Sequence, residues 1–92
     1  MLSLLKVFDY YRSGEIMFDE LIISLLKQVD DPNWHDVLSQ LDQDERAKLE
    51  ETIRDLERNG PWLQTKTGER LYSDSQLAIV SRRIDHQQPP NT

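Results

Sequence analysis

Asp9-Tyr10-Tyr11-Arg12-Ser13-Gly14-Glu15-Ile16-Met17-Phe18-Asp19-Glu20 is the stretch that decides the fold. An apolar segment runs into it, with Leu4, Leu5 and Phe8 recurring at helical spacing and Met1 one turn earlier. A second apolar segment leaves it through Leu21, Ile22, Ile23, Leu25, Leu26 and Val29. Gly14 sits between them, and glycine accepts the positive φ of a tight turn or helix C-terminus at no steric cost. Asp19 and Glu20 follow where carboxylates suit the free N–H groups of a new helix. The spacing predicts a first helix from Leu2 to about Tyr11 and a second from Phe18 to Gln28. The second has too many apolar residues for one narrow stripe, which places it centrally, touched on more than one side.

The remaining elements follow from start and stop signals. Asp31-Pro32 predicts a third helix over Pro32 to Leu41, with Trp34, Val37, Leu38 and Leu41 at i, i+3, i+4 and i+7. Asp42 followed by Glu45 has the form of a capping box and opens a fourth helix running to about Arg58. Its buried stripe is Leu49, Ile53 and Leu56, with Ala47 and Thr52 at the edge. Glu50 and Arg54, and Asp55 and Arg58, are spaced for ion pairs within the helix. Asn59-Gly60-Pro61 stops it. Ser73 and Gln76 form a second capping box ahead of a fifth helix, Asp74 to Ile84, that buries Leu77, Val80 and Ile84. Trp62 and Leu63 are expected to fold back on the core.

The expected fold is therefore all-α, a single domain of four to five short helices over residues 1–85. Residues 86–92, with no apolar side chain and two consecutive prolines, are expected as a disordered tail. The alternative is an α+β domain with a small hairpin near Thr67-Gly68.

Composition narrows the chemistry. The 92 residues are 37% hydrophobic and 30% charged, with no cysteine. Disulfides and thiolate metal sites are excluded. No apolar run approaches the roughly 20 residues that span a bilayer, and the N-terminal residues lack a signal-peptide pattern. A cytoplasmic protein is the expectation. The net charge of −6 is uneven: residues 30–57 hold ten acidic and three basic side chains, whereas residues 58–92 hold three acidic and five basic. An acidic middle repels phosphate and suits a basic protein surface. Arg82 and Arg83 could face the acidic fourth helix within the fold.

The stretch from Asp9 to Glu20 also resembles the calcium loop of EF-hand proteins. Asp9 matches loop position 1, Ser13 position 5, Gly14 position 6, Glu15 position 7 through its carbonyl, Ile16 position 8 and Glu20 position 12. Phe8 and Leu21 match the apolar flanks. The resemblance covers roughly residues 1–29 and implies a metal site at Asp9, Ser13, Glu15 and Glu20. Tyr11 departs from it, placing a phenol at position 3 where a carboxylate or amide supplies oxygen. Aligning Gly60 or Gly68 at position 6 yields no partner loop. A helix-to-helix turn is the reading the residues favour, and no cofactor or metal is expected.

No other catalytic pattern is present. There is no G-x-S-x-G, no phosphate-cradling glycine loop, and His35, with Asp31 and Asp36 near it, has no third ligand or nucleophile. The chain is expected to be non-enzymatic and to act as an adaptor, antitoxin or immunity-type binder. It would use the acidic face of residues 30–57, with Asp36, Asp44, Glu50, Glu51 and Asp55 as contact residues and a protein as partner, neither nucleic acid nor membrane. A calcium-responsive module at residues 9–20 and a homodimer pairing through the second helix are the alternatives.

Overall fold

The computed structural model describes residues 3–60 and 71–86, and these form five helices with no strand among them: α1 (Leu4–Arg12), α2 (Phe18–Lys27), α3 (Trp34–Gln40), α4 (Gln43–Asn59) and α5 (Asp74–His86). α2 packs between α1 and α5, α4 lies on α5, and α3 lies on α1. The all-α architecture and the central place of α2 agree with the sequence. Trp62, Leu63, residues 67–68, where the alternative reading places a hairpin, and residues 87–92 lie outside the described residues. α5 itself extends to His86. No described helix is long and apolar enough to cross a membrane.

Each helix begins and ends for a local reason. Ser3 caps α1, its Oγ accepting from Lys6 N at 3.3 Å. Asp42 and Glu45 make both halves of the capping box on α4. Ser73 and Gln76 do the same on α5, at 2.8 and 3.1 Å. α4 ends at Gly60, where φ is +84° and ψ 179°, a region that essentially only glycine occupies.

The buried faces follow the expected periods with specific shifts. α1 buries Leu4, Val7 and Phe8, whereas Leu5 is 39% exposed. Leu5 stands 100° round from Leu4, off the stripe that Val7 completes. α2 buries Phe18, Leu21, Ile22, Leu25 and Leu26, which explains its apolar excess: two neighbouring helices and Trp34 cover it. On α4, Leu49, Ile53 and Leu56 are buried, Thr52 is half-buried and Ala47 is exposed. On α5, Val80 and Ile84 are buried, and Leu77 is half-buried against the core. A fully buried leucine or isoleucine contributes about 1.5–3 kcal/mol by leaving water, so this one cluster outweighs every surface ion pair.

α3 starts later than its proline signal suggests. Asp31 Oδ1 accepts from Asn33 N at 2.8 Å, and Trp34 N donates to Asp31 O at 3.0 Å. That closes a turn over Pro32-Asn33, and helical geometry begins only at Trp34. The other oxygen of Asp31 accepts from Leu4 N at 3.1 Å, satisfying a free donor at the start of α1. One side chain thus aligns the starts of two helices.

Trp34 is the largest buried residue among those described and is held from two sides. Its Nε1 donates to Leu25 O at 2.8 Å. The Arg83 guanidinium lies 4.8 Å from its ring centroid and donates to Val29 O at 2.7 Å. Arg83 therefore faces the α2–α3 junction, not α4. The charged link from α5 to α4 runs with the opposite polarity, from Arg54 on α4 to Asp85 on α5.

Candidate functional site

The turn between α1 and α2 is a Schellman motif. Gly14 N donates to Tyr11 O at 3.1 Å and Glu15 N to Tyr10 O at 2.9 Å, the 5→2 and 6→1 bonds of that motif. Gly14 occupies the C′ position with φ +85°. The last carbonyls of α1 are thereby taken up by the chain itself. Asp9 remains an exposed helical residue of α1, and Glu20 is an exposed residue in the first turn of α2. Ser13 Oγ donates to Tyr10 O at 3.0 Å and lies 3.2 Å from Glu15 Oε2. Of the four residues implied by the EF-hand resemblance, only Ser13 and Glu15 are brought together by a hydrogen bond. Among the described residues, no group of three His, Cys, Asp or Glu side chains is placed to hold a metal ion.

Tyr11, the residue that breaks the calcium-loop pattern, has a different task. Its ring packs against Phe18, with centroids 5.5 Å apart, and near Phe8 at 6.3 Å. Its hydroxyl donates to Glu45 Oε2 at the head of α4. Burial, then the hydrogen bond to Glu45 and the negative charge of that carboxylate, push the phenol pKa up to about 12; neighbouring Arg12 works in the other direction. Arg12 completes the junction. Its Nη2 donates to Gln40 O at 2.7 Å and lies 3.9 Å from Glu45, and its guanidinium stands 4.9 Å from the Phe8 ring centroid. The ends of α1 and α3 and the start of α4 are joined here. The sequence signal was the i, i+3 spacing of Phe8 and Tyr11 on one helix face.

The acidic middle divides into inward and outward carboxylates. Asp31, Asp42 and Glu45 accept from backbone N–H groups. Asp55 accepts from the Asn59 amide. Glu57 accepts from Arg54 at 3.0 Å and from Ser81 Oγ at 3.2 Å. Arg54 also donates to Ser81 Oγ at 2.9 Å and to Asp85. Its pKa is raised above the usual arginine value by the hydrogen bond to Glu57 first and by Asp85 after it. The strongest links of Arg54 thus run to Glu57 and across to α5, not only back along its own helix. Ser81, 7% exposed, is the one buried polar residue among those described, and this network satisfies it.

Asp36, Asp44 and Glu51 are exposed, and their carboxylates make no hydrogen bond or ion pair among the described residues. Glu50 and Asp55 are half-buried, and Glu50 is engaged in an interaction of its own. Asp44, Glu51 and Asp55 fall at i, i+7 and i+11, one stripe along the outer side of α4. Asp36 stands apart on α3. Two shallow, open depressions flank the stripe and share Glu51. Ala47, Glu50 and Arg54 belong to one, Lys48, Thr52 and Asp55 to the other, and Arg58 to both. The face is therefore mixed in charge. His35 is exposed, its ring edge-on to Trp34 at 5.3 Å, while the Asp31 carboxylate is taken up by Leu4 and Asn33.

Compared with protein-family models, curated proteins and solved structures, the chain matches none.

Proposed function

We propose that this chain acts by binding another protein, without catalysis, through the outer side of α4, and that the partner presents a basic surface. The observation that carries this reading is the stripe Asp44–Glu51–Asp55. Two of its carboxylates stand in solvent with no hydrogen bond or ion pair among the described residues, on the longest of the five described helices. Exposed carboxylates that are not tied up in a hydrogen bond or ion pair are free to steer an encounter, and rim carboxylates act mainly on association rate and partner choice. Lys48 and Arg58 beside them set register by excluding a uniformly basic partner. Asp36 extends the acidic field but lies on another element. Nucleic acid is disfavoured because the same carboxylates repel phosphate.

The test is affinity capture with the purified chain at low and at raised salt, repeated with Asp44→Lys/Glu51→Lys. Circular dichroism checks that the variant is folded. The expected result is a partner retained at low salt, released by salt, and lost with the double reversal. Capture that survives both salt and charge reversal refutes the proposed face.

A further inference from the structure

We infer that Asn59 is a site of spontaneous covalent modification, a deamidation gated by opening of the last turn of α4; this is independent of the proposed binding face. Asn59-Gly60 is the one Asn-Gly pair in the chain, and the other asparagines, Asn33 and Asn91, precede Trp34 and Thr92. Asn59 is exposed and is the final residue of α4. Gly60 carries no side chain to hinder its own amide nitrogen, and among the described residues nothing lies within 4 Å of the place a Cβ would occupy.

In the reaction, the Gly60 amide nitrogen, deprotonated by hydroxide, attacks Cγ of Asn59. The N–Cγ bond forms, the Cγ–Nδ2 bond breaks, and ammonia leaves with a proton returned by water. Water then opens the five-membered succinimide at either carbonyl, producing aspartate or isoaspartate. Two contacts oppose this in the folded chain. Gly60 N donates to Leu56 O at 3.1 Å, which occupies the nucleophile. Asn59 Nδ2 donates to Asp55 Oδ1, which holds the leaving group. Both contacts belong to the terminal turn, where helices open at little free-energy cost. One local opening releases nucleophile and electrophile together.

The product reinforces the opening. It removes the donor that Asp55 used and puts a negative charge at the carbonyl end of the helix dipole, beside another carboxylate. Isoaspartate also lengthens the backbone by one atom, which breaks the geometry that Gly60 completes. The conversion is one-way and loosens the end of α4.

The test incubates the full chain at mildly alkaline pH, with peptide mass mapping for the aspartate mass gain and enzymatic methylation for isoaspartate. Conversion is expected at Asn59 ahead of Asn33 and Asn91. In urea the rate should rise by on the order of tenfold, the protection a fraying turn provides. Asp55→Ala, checked for folding by circular dichroism, should raise the native rate roughly 2- to 10-fold, the effect of one exposed hydrogen bond. Asn59→Gln should abolish the signal. Equal rates in native and unfolded chains, or no preference for Asn59 in the unfolded chain, overturn the inference. The native-versus-urea comparison decides it alone if Asp55→Ala does not fold.

Discussion

Replacing Tyr11 with phenylalanine separates the two accounts of the Asp9–Glu20 stretch. The variant keeps the ring between Phe8 and Phe18 and deletes only the hydroxyl that donates to Glu45. A hydrogen bond to a charged acceptor contributes about 1.5–3 kcal/mol when buried. Tyr11 is half-buried, so about 1–2 kcal/mol is expected at neutral pH. The titration provides a second route to the same figure. The phenol pKa rises from 10.0 to about 12 on folding. At 1.36 kcal/mol per pH unit that difference caps the linked stability at roughly 2.7 kcal/mol, and solvent access reduces it to about 1–2 kcal/mol. The folded chain holds the phenol proton more tightly than the unfolded chain. The contribution is therefore complete below pH 10 and is lost as the pH climbs through 12. Urea unfolding of both proteins from pH 7 to 12 measures this. The wild type should exceed Tyr11→Phe by a constant margin up to pH 10, and the margin should close above it. Glu45→Gln, which preserves the capping box, should abolish most of the margin in a double-mutant cycle. A margin below about 0.5 kcal/mol, typical of an inconsequential surface change, refutes the junction. So does a margin that persists unchanged to pH 12.

Met17 is the N-cap of α2, makes no side-chain capping bond and is 75% exposed. Met17→Ser would form a capping box with Glu20 and should stabilise the chain by about 0.5–1.5 kcal/mol in chemical denaturation; a loss of stability would show that the thioether packs. Gly60→Ala meets no atom of the described residues but forces alanine into a glycine-only region, and should cost about 1–3 kcal/mol by the same assay. Calcium at millimolar concentration should leave the amide NMR shifts of Asp9, Gly14 and Glu20 unchanged; a saturable shift would revive the metal loop.

What could be read from the chain was whatever obeys a short-range rule. The caps at Asp42 and Ser73, the positive φ at Gly14 and Gly60, and the buried period on α3 and α4 all depend on residues within a few positions of one another. What could not be read depends on side chains reaching distant backbone. Asp31 accepts from Leu4, Gln76 donates to Lys27 O at 3.3 Å, and Arg83 donates to Val29 O. These bonds have no periodic signature, because nothing in a residue's neighbours records which helix end will lie beside it. Asp31 shows the cost: its carboxylate turns Pro32-Asn33 into a turn and delays α3 by two residues.

The same distinction changes what the acidic middle means. Counted along the sequence, its ten carboxylates form one negative surface. In the fold, Asp31, Asp42, Glu45, Asp55 and Glu57 are taken up by helix ends, by Tyr11 and by the Arg54–Ser81 network. Screening by salt acts weakly on contacts at hydrogen-bond distance and strongly on the field that free exposed charges cast over a Debye length. Stability and partner binding should therefore respond to salt separately. The fold relies on carboxylates held by hydrogen bonds at short range, while electrostatic attraction to a partner would fall on exposed carboxylates such as Asp36, Asp44 and Glu51, whose longer-range field salt screens. A small chain with few apolar residues can thus use one type of side chain for two purposes, because the hydrogen-bond partners each carboxylate meets decide which purpose it serves.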